Sequence, residues 1–215
     1  MSITVNYTMA TPLCRIMGEC GSDKGNANLN TSRHNYTTVY YSLFKNLIAK
    51  PLRIFELGLG TNNVNIPSNM GANGIPGASL RGWAKFFPNA VVYGADIDRA
   101  ILFSEDRIKT YYCDQLNRKA IEELWANADL AESFDLILDD GLHEHAANKC
   151  FFENSIHKLK QGGYYITEDI LTPTAALLSE DIKLWKQKYP HLTFDLCTIP
   201  SHNRNDNRLM IVHWP

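Results

Sequence analysis

Residues 54–60 read Ile-Phe-Glu-Leu-Gly-Leu-Gly, an apolar run that breaks into a glycine loop. No other stretch constrains the fold as much. A short apolar run ended by glycines predicts a buried strand whose C-terminal turn lets backbone N–H groups approach a small molecule. The dinucleotide fingerprint asks for a third glycine three residues after the second, and counted from Gly60 that position is Asn63. A nicotinamide cofactor is therefore disfavoured. Glu56, just ahead of Gly58, puts a carboxylate at the strand end, which suits a cationic ligand better than a pyrophosphate.

The rest of the chain alternates between two periods. Residues 37–49 carry Tyr40, Leu43, Phe44, Leu47 and Ile48 at helical spacing, and Pro51 ends that helix ahead of a strand over 52–57. A loop rich in Gly, Asn and Pro fills 61–78, and in a compact domain that length reads as a lid or an interaction surface. A helix over 79–87 follows. Apolar runs at 90–95, 109–113, 134–138 and 163–167, with helix candidates at 117–128 and 145–159 between them, predict a parallel sheet covered on both faces. A helix over 174–189 then leads to strands 192–199 and 208–213, expected as an antiparallel pair at one sheet edge. The expected fold is a doubly wound, mostly parallel, Rossmann-like α/β sheet. A cap segment and helix over 1–50 precede a catalytic region over 51–215, all within one compact unit.

Composition narrows the function. The 215 residues have a net charge of −2, without the basic excess of a protein that neutralises many phosphates, so nucleic acid is not the expected partner. The first eleven residues lack a basic segment followed by an apolar core, and nowhere do 18 apolar residues run together. No membrane span is expected, and the expected compartment is the cytoplasm. Five cysteines, an odd number without CxxC spacing, read as buried free thiols rather than as disulfides or a zinc site.

In an open parallel sheet, ligands sit at the carboxyl ends of the strands. Every expected strand end here carries an acid: Glu56; Asp96 and Asp98; Asp114, followed by Gln115; Asp139 and Asp140; Glu168 and Asp169. Asp96 is placed to accept the ribose hydroxyls of a nucleoside, and Asp114 to accept the amine of adenine. Their plainer readings are a helix cap and a turn residue. Asp140-Gly141-Leu142-His143 sets a carboxylate and an imidazole three residues apart, with Glu168 and Asp169 arriving from the neighbouring strand. Asp140, Glu168 and Asp169 offer an oxygen-rich site to a hard divalent cation, Mg²⁺ or Mn²⁺. The alternative is that these acids cap helices and leave His143 half exposed. His145 reads as structural, and His157, His191, His202 and His213 have no partner pattern.

Four of these motifs, Glu-Leu-Gly-Leu-Gly (56–60), Gly-Ala-Asp-Ile-Asp (94–98), the run from Phe134 to His143 and Gly-Gly-Tyr-Tyr-Ile-Thr-Glu-Asp (162–169), resemble the class I S-adenosylmethionine-dependent methyltransferases. They are most similar to the metal-dependent sugar O-methyltransferases of the macrocin and mycinamicin type. Gly-Ser-Asp-Lys-Gly (21–25), with His34, Tyr36 and Tyr40, resembles the N-terminal segment of the same group. The similarity spans about residues 20–170.

The resemblance implies that S-adenosylmethionine binds at Glu56, Gly58, Gly60, Ser79, Asp96, Asp114 and Asp139. It also implies Mg²⁺ on Asp140, Glu168 and Asp169, and His143 as the base, neutral near pH 7. Lys24 is assigned to the carboxylate of the methyl donor, with a solvated loop lysine as the alternative. The acceptor implied is a sugar hydroxyl of a surface polysaccharide or natural-product glycan precursor, and a homo-oligomer stays open. Departures are Asn62 at a position often held by a third glycine, the loop 61–78, and Leu142 where serine is common. Two other classes stay open here: a nicotinamide-dependent oxidoreductase, and a non-catalytic nucleoside-binding scaffold that offers loop 61–78 to a partner.

Overall fold

Alternation along the first strand decides what each side of the sheet can hold. In β1 (Arg53–Leu57), Phe55 and Leu57 enter one core layer and Ile54 the other, so Glu56 shares the Ile54 side. The computed structural model describes residues 9–25, 34–200 and 205–215; residues 1–8 and His202 lie outside them. Among the described residues the sheet has eight strands in the order β3-β4-β2-β1-β5-β6-β8-β7. These are β2 (Val91–Asp96), β3 (Ser104–Glu105), β4 (Ile108–Tyr112), β5 (Phe134–Asp139), β6 (Leu159–Thr167), β7 (Thr193–Thr198) and β8 (Arg208–His213).

The five central strands run parallel, as expected from their apolar runs. From β1 the chain builds outward through β2 and β4, then returns to place β5 on the other side of β1. That reversal is the switch point where a crevice opens. The expected antiparallel pair forms, but β8 slots between β6 and β7, so only β7 is an edge. A two-residue antiparallel β3 makes the other edge, too short to leave a periodic signal.

Helices α1 (Pro12–Cys20), α2 (Tyr36–Phe44) and α3 (Ala78–Phe86) cover the Ile54 face. The opposite face is covered by α4 (Arg118–Trp125), α5 (His145–Ser155) and α6 (Thr172–Lys188). Helix α1 was not expected, yet its ends are written in the sequence. Thr11 accepts the N–H of Cys14 at 3.2 Å, Pro12 opens the first turn, and Gly21 closes the helix at φ 88°. Leu13 and Met17 of α1 and Tyr36, Tyr40 and Phe44 of α2 share a core layer with Ile54, Leu80 and Trp83, so the expected cap segment packs as part of the sheet's own covering layer. The helix expected over 37–49 ends at Phe44 and tightens into a 3₁₀ turn over Lys45–Leu47. All five cysteines are free thiols, and Cys14 and Cys113 are the buried ones. Among the described residues no helix is long and apolar enough to cross a membrane.

The loop 61–78 is closed by its own hydrogen bonds. Met70 N–H reaches Thr61 O at 2.9 Å, and Gly77 N–H reaches Leu59 O at 2.7 Å. The Asn62 amide donates to Gly71 O at 2.6 Å and Gly74 O at 3.0 Å, which explains an asparagine where glycine is common. Replacing Asn62 by Ala removes both bonds, leaving Gly71 O with only the Gly74 N–H at 3.2 Å, and should cost about 1 kcal/mol. Amide exchange at residues 71–74 should rise with it; unchanged exchange there would mean that the loop is held by other bonds.

Candidate active site

A cavity of about 680 Å³ opens at the carboxyl ends of β1, β2, β4 and β5. Its floor is the glycine loop. Gly58 sits at φ 92°, and a Cβ there would lie 1.9 Å from the Asp140 carbonyl oxygen, so only glycine allows the loop and the β5 end to meet. Gly60, at φ 78°, would drive a Cβ to 2.2 Å from Met70 Sδ, which seats loop 61–78 against the glycine turn. Asp96 lies at the rim with its carboxylate accepting Leu59 N–H at 2.7 Å and Asp98 N–H at 2.8 Å. It thereby holds the glycine turn as well as facing the cavity. Thr61 donates its hydroxyl to Asp98, and Asp114 accepts Leu116 N–H at 3.0 Å while lining the cavity.

Three residues expected to touch the cofactor are placed differently from the loop. Glu56 is fully buried and does not line the cavity; it accepts the Ser79 hydroxyl at 2.5 Å and the Trp83 indole N–H at 2.6 Å. Ser79 lines the cavity with its hydroxyl turned to Glu56. Asp139 is also fully buried behind the cavity, where it accepts Gln115 Nε2 at 2.6 Å and Asn148 Nδ2 at 3.0 Å. Burial pushes its pKa up to about 6 against the Asn148 bond and the His143 charge. Strand alternation puts Glu56 on the Ile54 face and Asp139 on the opposite face with Ile137, and neither lines the cavity.

Along the same cavity Asp140, His143 and Asp169 converge, their ligand atoms all within 4.8 Å of one another. Asp140 Oδ1 lies 3.2 Å from His143 Nε2, and Asp169 Oδ2 lies 3.7 Å from the same atom. His143 and Asp169 both adopt left-handed backbone, φ 62° and 52°, a strained geometry for side-chain-bearing residues. Burial opposes charge on His143, but its hydrogen bond to Asp140 and the charges of Asp140, Asp169 and Asp139 prevail and push its pKa up to about 9. The neutral imidazole expected near pH 7 is thus corrected: these carboxylates on their own keep the ring protonated, and it can accept a proton only when their charge is offset. His145 pairs with Asp181 at 2.6 Å and ties α5 to α6, as its structural reading implied.

Glu168 stands apart from that trio. Its Oε1 accepts the Tyr40 hydroxyl at 2.6 Å, and its Oε2 lies 2.7 Å from the Lys24 ammonium. Lys24 also bonds Asp140 Oδ2 and lies 3.4 Å from Glu56. Burial favours the neutral amine, yet Asp140, Glu168 and Glu56 outweigh it and keep Lys24 a cation. Glu56, Asp140, Glu168 and Asp169 are four enclosed acids facing Lys24 and His143. Burial pushes Glu56, Glu168 and Asp169 up, while Lys24 and His143 hold Asp140 down against burial; carboxylate oxygens gathered beside an imidazole fit a hard divalent cation.

Tyr36 and Tyr40 are the site residues to which the sequence reading gave no role. Tyr36 donates to Asp169 Oδ1 at 2.6 Å, and His34 Nδ1 lies 3.4 Å from the same oxygen. Their helical spacing reads equally as core packing, and nothing local marks the hydroxyls as carboxylate partners. Gln115 is the third omission: its Oε1 accepts Leu142 N–H at 2.8 Å while its amide holds Asp139.

No family model matches the chain. By sequence it is 30% identical over 139 residues to the 8-demethyl-8-alpha-L-rhamnosyl tetracenomycin-C 2'-O-methyltransferase of Streptomyces olivaceus, covering 65% of this chain and 34% of that protein. It is 30% identical over 166 residues to the demethylmacrocin O-methyltransferase of Streptomyces fradiae, covering 73% of this chain and 39% of the other. The chain therefore spans little more than a third of the length of these relatives. Among solved structures, the MycE methyltransferase of the mycinamycin pathway in complex with Mg and SAH superposes with a TM-score of 0.69 at 23% identity, over 95% of this chain and 55% of that one. A further MycE complex, with Mg, SAH and mycinamycin VI, gives a TM-score of 0.69 at 22% identity, over 95% of this chain and 54% of that one. The chain has the fold of the class I S-adenosylmethionine-dependent methyltransferases, and it resembles in sequence the sugar O-methyltransferases of the macrocin, mycinamicin and tetracenomycin type.

Proposed function

We propose that this protein transfers a methyl group from S-adenosylmethionine to a hydroxyl of a sugar, in a surface polysaccharide or a natural-product glycan precursor, with help from a divalent cation. The observation that carries the reading is the cavity itself. It is lined both by the Gly58–Gly60 turn and Asp96 and by Asp140, His143 and Asp169, so a donor and an acceptor can meet inside one enclosure. Relatives that methylate macrolide and tetracenomycin sugars, and a MycE complex that holds Mg, SAH and mycinamycin VI, support the choice of acceptor and metal.

The glycine turn lets the donor approach the backbone closely, and Asp96 and Asp114 face its adenosine. An acid-lined cleft suits the cationic sulfonium. Asp140, Glu168 and Asp169 would hold Mg²⁺ or Mn²⁺, which supplies charge that eases ionisation of a coordinated hydroxyl. His143 takes the hydroxyl proton on its imidazole, a ring that Asp140 Oδ1 orients from 3.2 Å through Nε2. Tyr36 and Tyr40 fix the rotamers of Asp169 and Glu168. Much of the rate comes from holding the acceptor oxygen in line with the donor methyl.

Three measurements bear on this reading. Exhaustive chelation should abolish methyl transfer to sugar acceptors from labelled donor, and added Mg²⁺ should restore it. Full turnover in the chelated protein would remove the metal from the mechanism. His143→Ala should keep Mn²⁺ and S-adenosylhomocysteine binding while turnover falls about 10²–10⁴-fold, the range for a lost general base. A loss of less than tenfold would mean that another group takes the proton. Asp96→Ala removes a carboxylate from both the donor and the glycine turn, and should weaken S-adenosylhomocysteine by about 1.5–3 kcal/mol in calorimetric titration. Unchanged affinity would place the donor elsewhere.

A further inference from the structure

Two of the carboxylates expected to hold the divalent cation already have a cationic partner supplied by the chain. Lys24 Nζ bonds Asp140 Oδ2 and lies 2.7 Å from Glu168 Oε2. The same ammonium lies 3.4 Å from Glu56, an acid outside the expected metal set and locked in place by Ser79 and Trp83. Lys24 is 2% exposed, yet it lines the cavity beside Gly58 and Asp140. Among the described residues Asp140, His143 and Asp169 form a group of close ligand atoms that does not include Glu168, both of whose oxygens are engaged, by Tyr40 and by Lys24.

An ammonium and a divalent cation seek the same anionic oxygens, and in an enclosed site neither is well screened by water. Glu56 is the partner that Lys24 can keep when the other two are taken. We infer that Lys24 is a built-in counter-ion that competes with the divalent cation for Asp140 and Glu168, and that Glu56 anchors it when the cation binds. Lys24 thereby sets the affinity of the metal site and holds its acids together in the metal-free protein. It is a positioning residue, since it acts through the carboxylates and not on the reacting atoms. The inference rests on the metal-dependent reading above and adds to it the residue that sets the metal's hold.

The test is Mn²⁺ binding, followed by electron paramagnetic resonance titration of the free ion, with wild type, Lys24→Met and the exposed-site control Lys85→Met. Lys24→Met should bind Mn²⁺ about tenfold tighter or more, because a competing unit charge beside the ion is gone. Lys85→Met, which removes the surface pair with Glu19, should match wild type. Equal or weaker binding by folded Lys24→Met overturns the inference. Should Lys24→Met fail to fold, nitrogen NMR of the lysine ammonium in wild type decides: saturating Mg²⁺ should shift the Lys24 signal, and an unmoved signal overturns the inference. Tight Mn²⁺ binding by wild type with no change in Lys24→Met sinks the counter-ion and leaves the metal reading standing. Absence of Mn²⁺ binding in both proteins sinks both, whereas binding gained only in Lys24→Met supports the competition directly.

Discussion

Three carboxylates from three neighbouring strands meet on one buried ammonium. Glu56 on β1, Asp140 after β5 and Glu168 after β6 all reach Lys24, which the chain delivers from the loop between α1 and α2. None of these groups could be enclosed alone, because an unpaired charge in the interior costs several kcal/mol. Their mutual neutralisation makes the N-terminal segment part of the site. Burial pushes the pKa of Glu56 and Glu168 up, while Lys24 and His143 hold Asp140 down against burial, so the charge in this group is shared rather than fixed on each acid.

Around that centre, hydrogen bonds convert acids that could rotate into acids that point. Tyr40 holds Glu168 and Tyr36 holds Asp169, both at 2.6 Å. Gln115 links the buried Asp139 to the backbone of Leu142, one residue from His143. The left-handed backbone at His143 and Asp169 carries a conformational cost that these contacts offset. Strain at two residues facing each other from adjacent strand ends is easier to account for as positioning than as packing.

Loop 61–78 departs from the usual pattern of the fold in sequence but answers the same demands. Its Asn62 supplies side-chain bonds where a glycine would supply only freedom, and Met70 closes over Gly60. Ser68 donates to the Leu142 carbonyl at 2.9 Å, so the loop also touches the turn that carries His143. The loop is thus bonded both to the glycine turn and to the turn that carries His143. The relatives extend well beyond the length matched here.

The alternation of apolar runs with helical periods was enough to place β1, β2, β4, β5 and β6 and to order them as a parallel sheet, because periodicity is a local property of the chain. It was also enough to bring acids to the strand ends, and Asp140, His143 and Asp169 do converge. What it left undecided was direction. Glu56 and Asp139 sit in the expected strands yet face away from the cavity, since the side a residue takes is decided by pairing register and by what packs behind it. Lys24 lies 116 positions from Asp140 and 144 from Glu168, and no spacing rule connects them. Tyr36 and Tyr40 look like core aromatics until their hydroxyls meet carboxylates from the other end of the chain. The sequence by itself determined the strands, the turns and the types of group at the site; only the tertiary structure decided which groups are paired, because charge neutralisation acts through space and is blind to chain order.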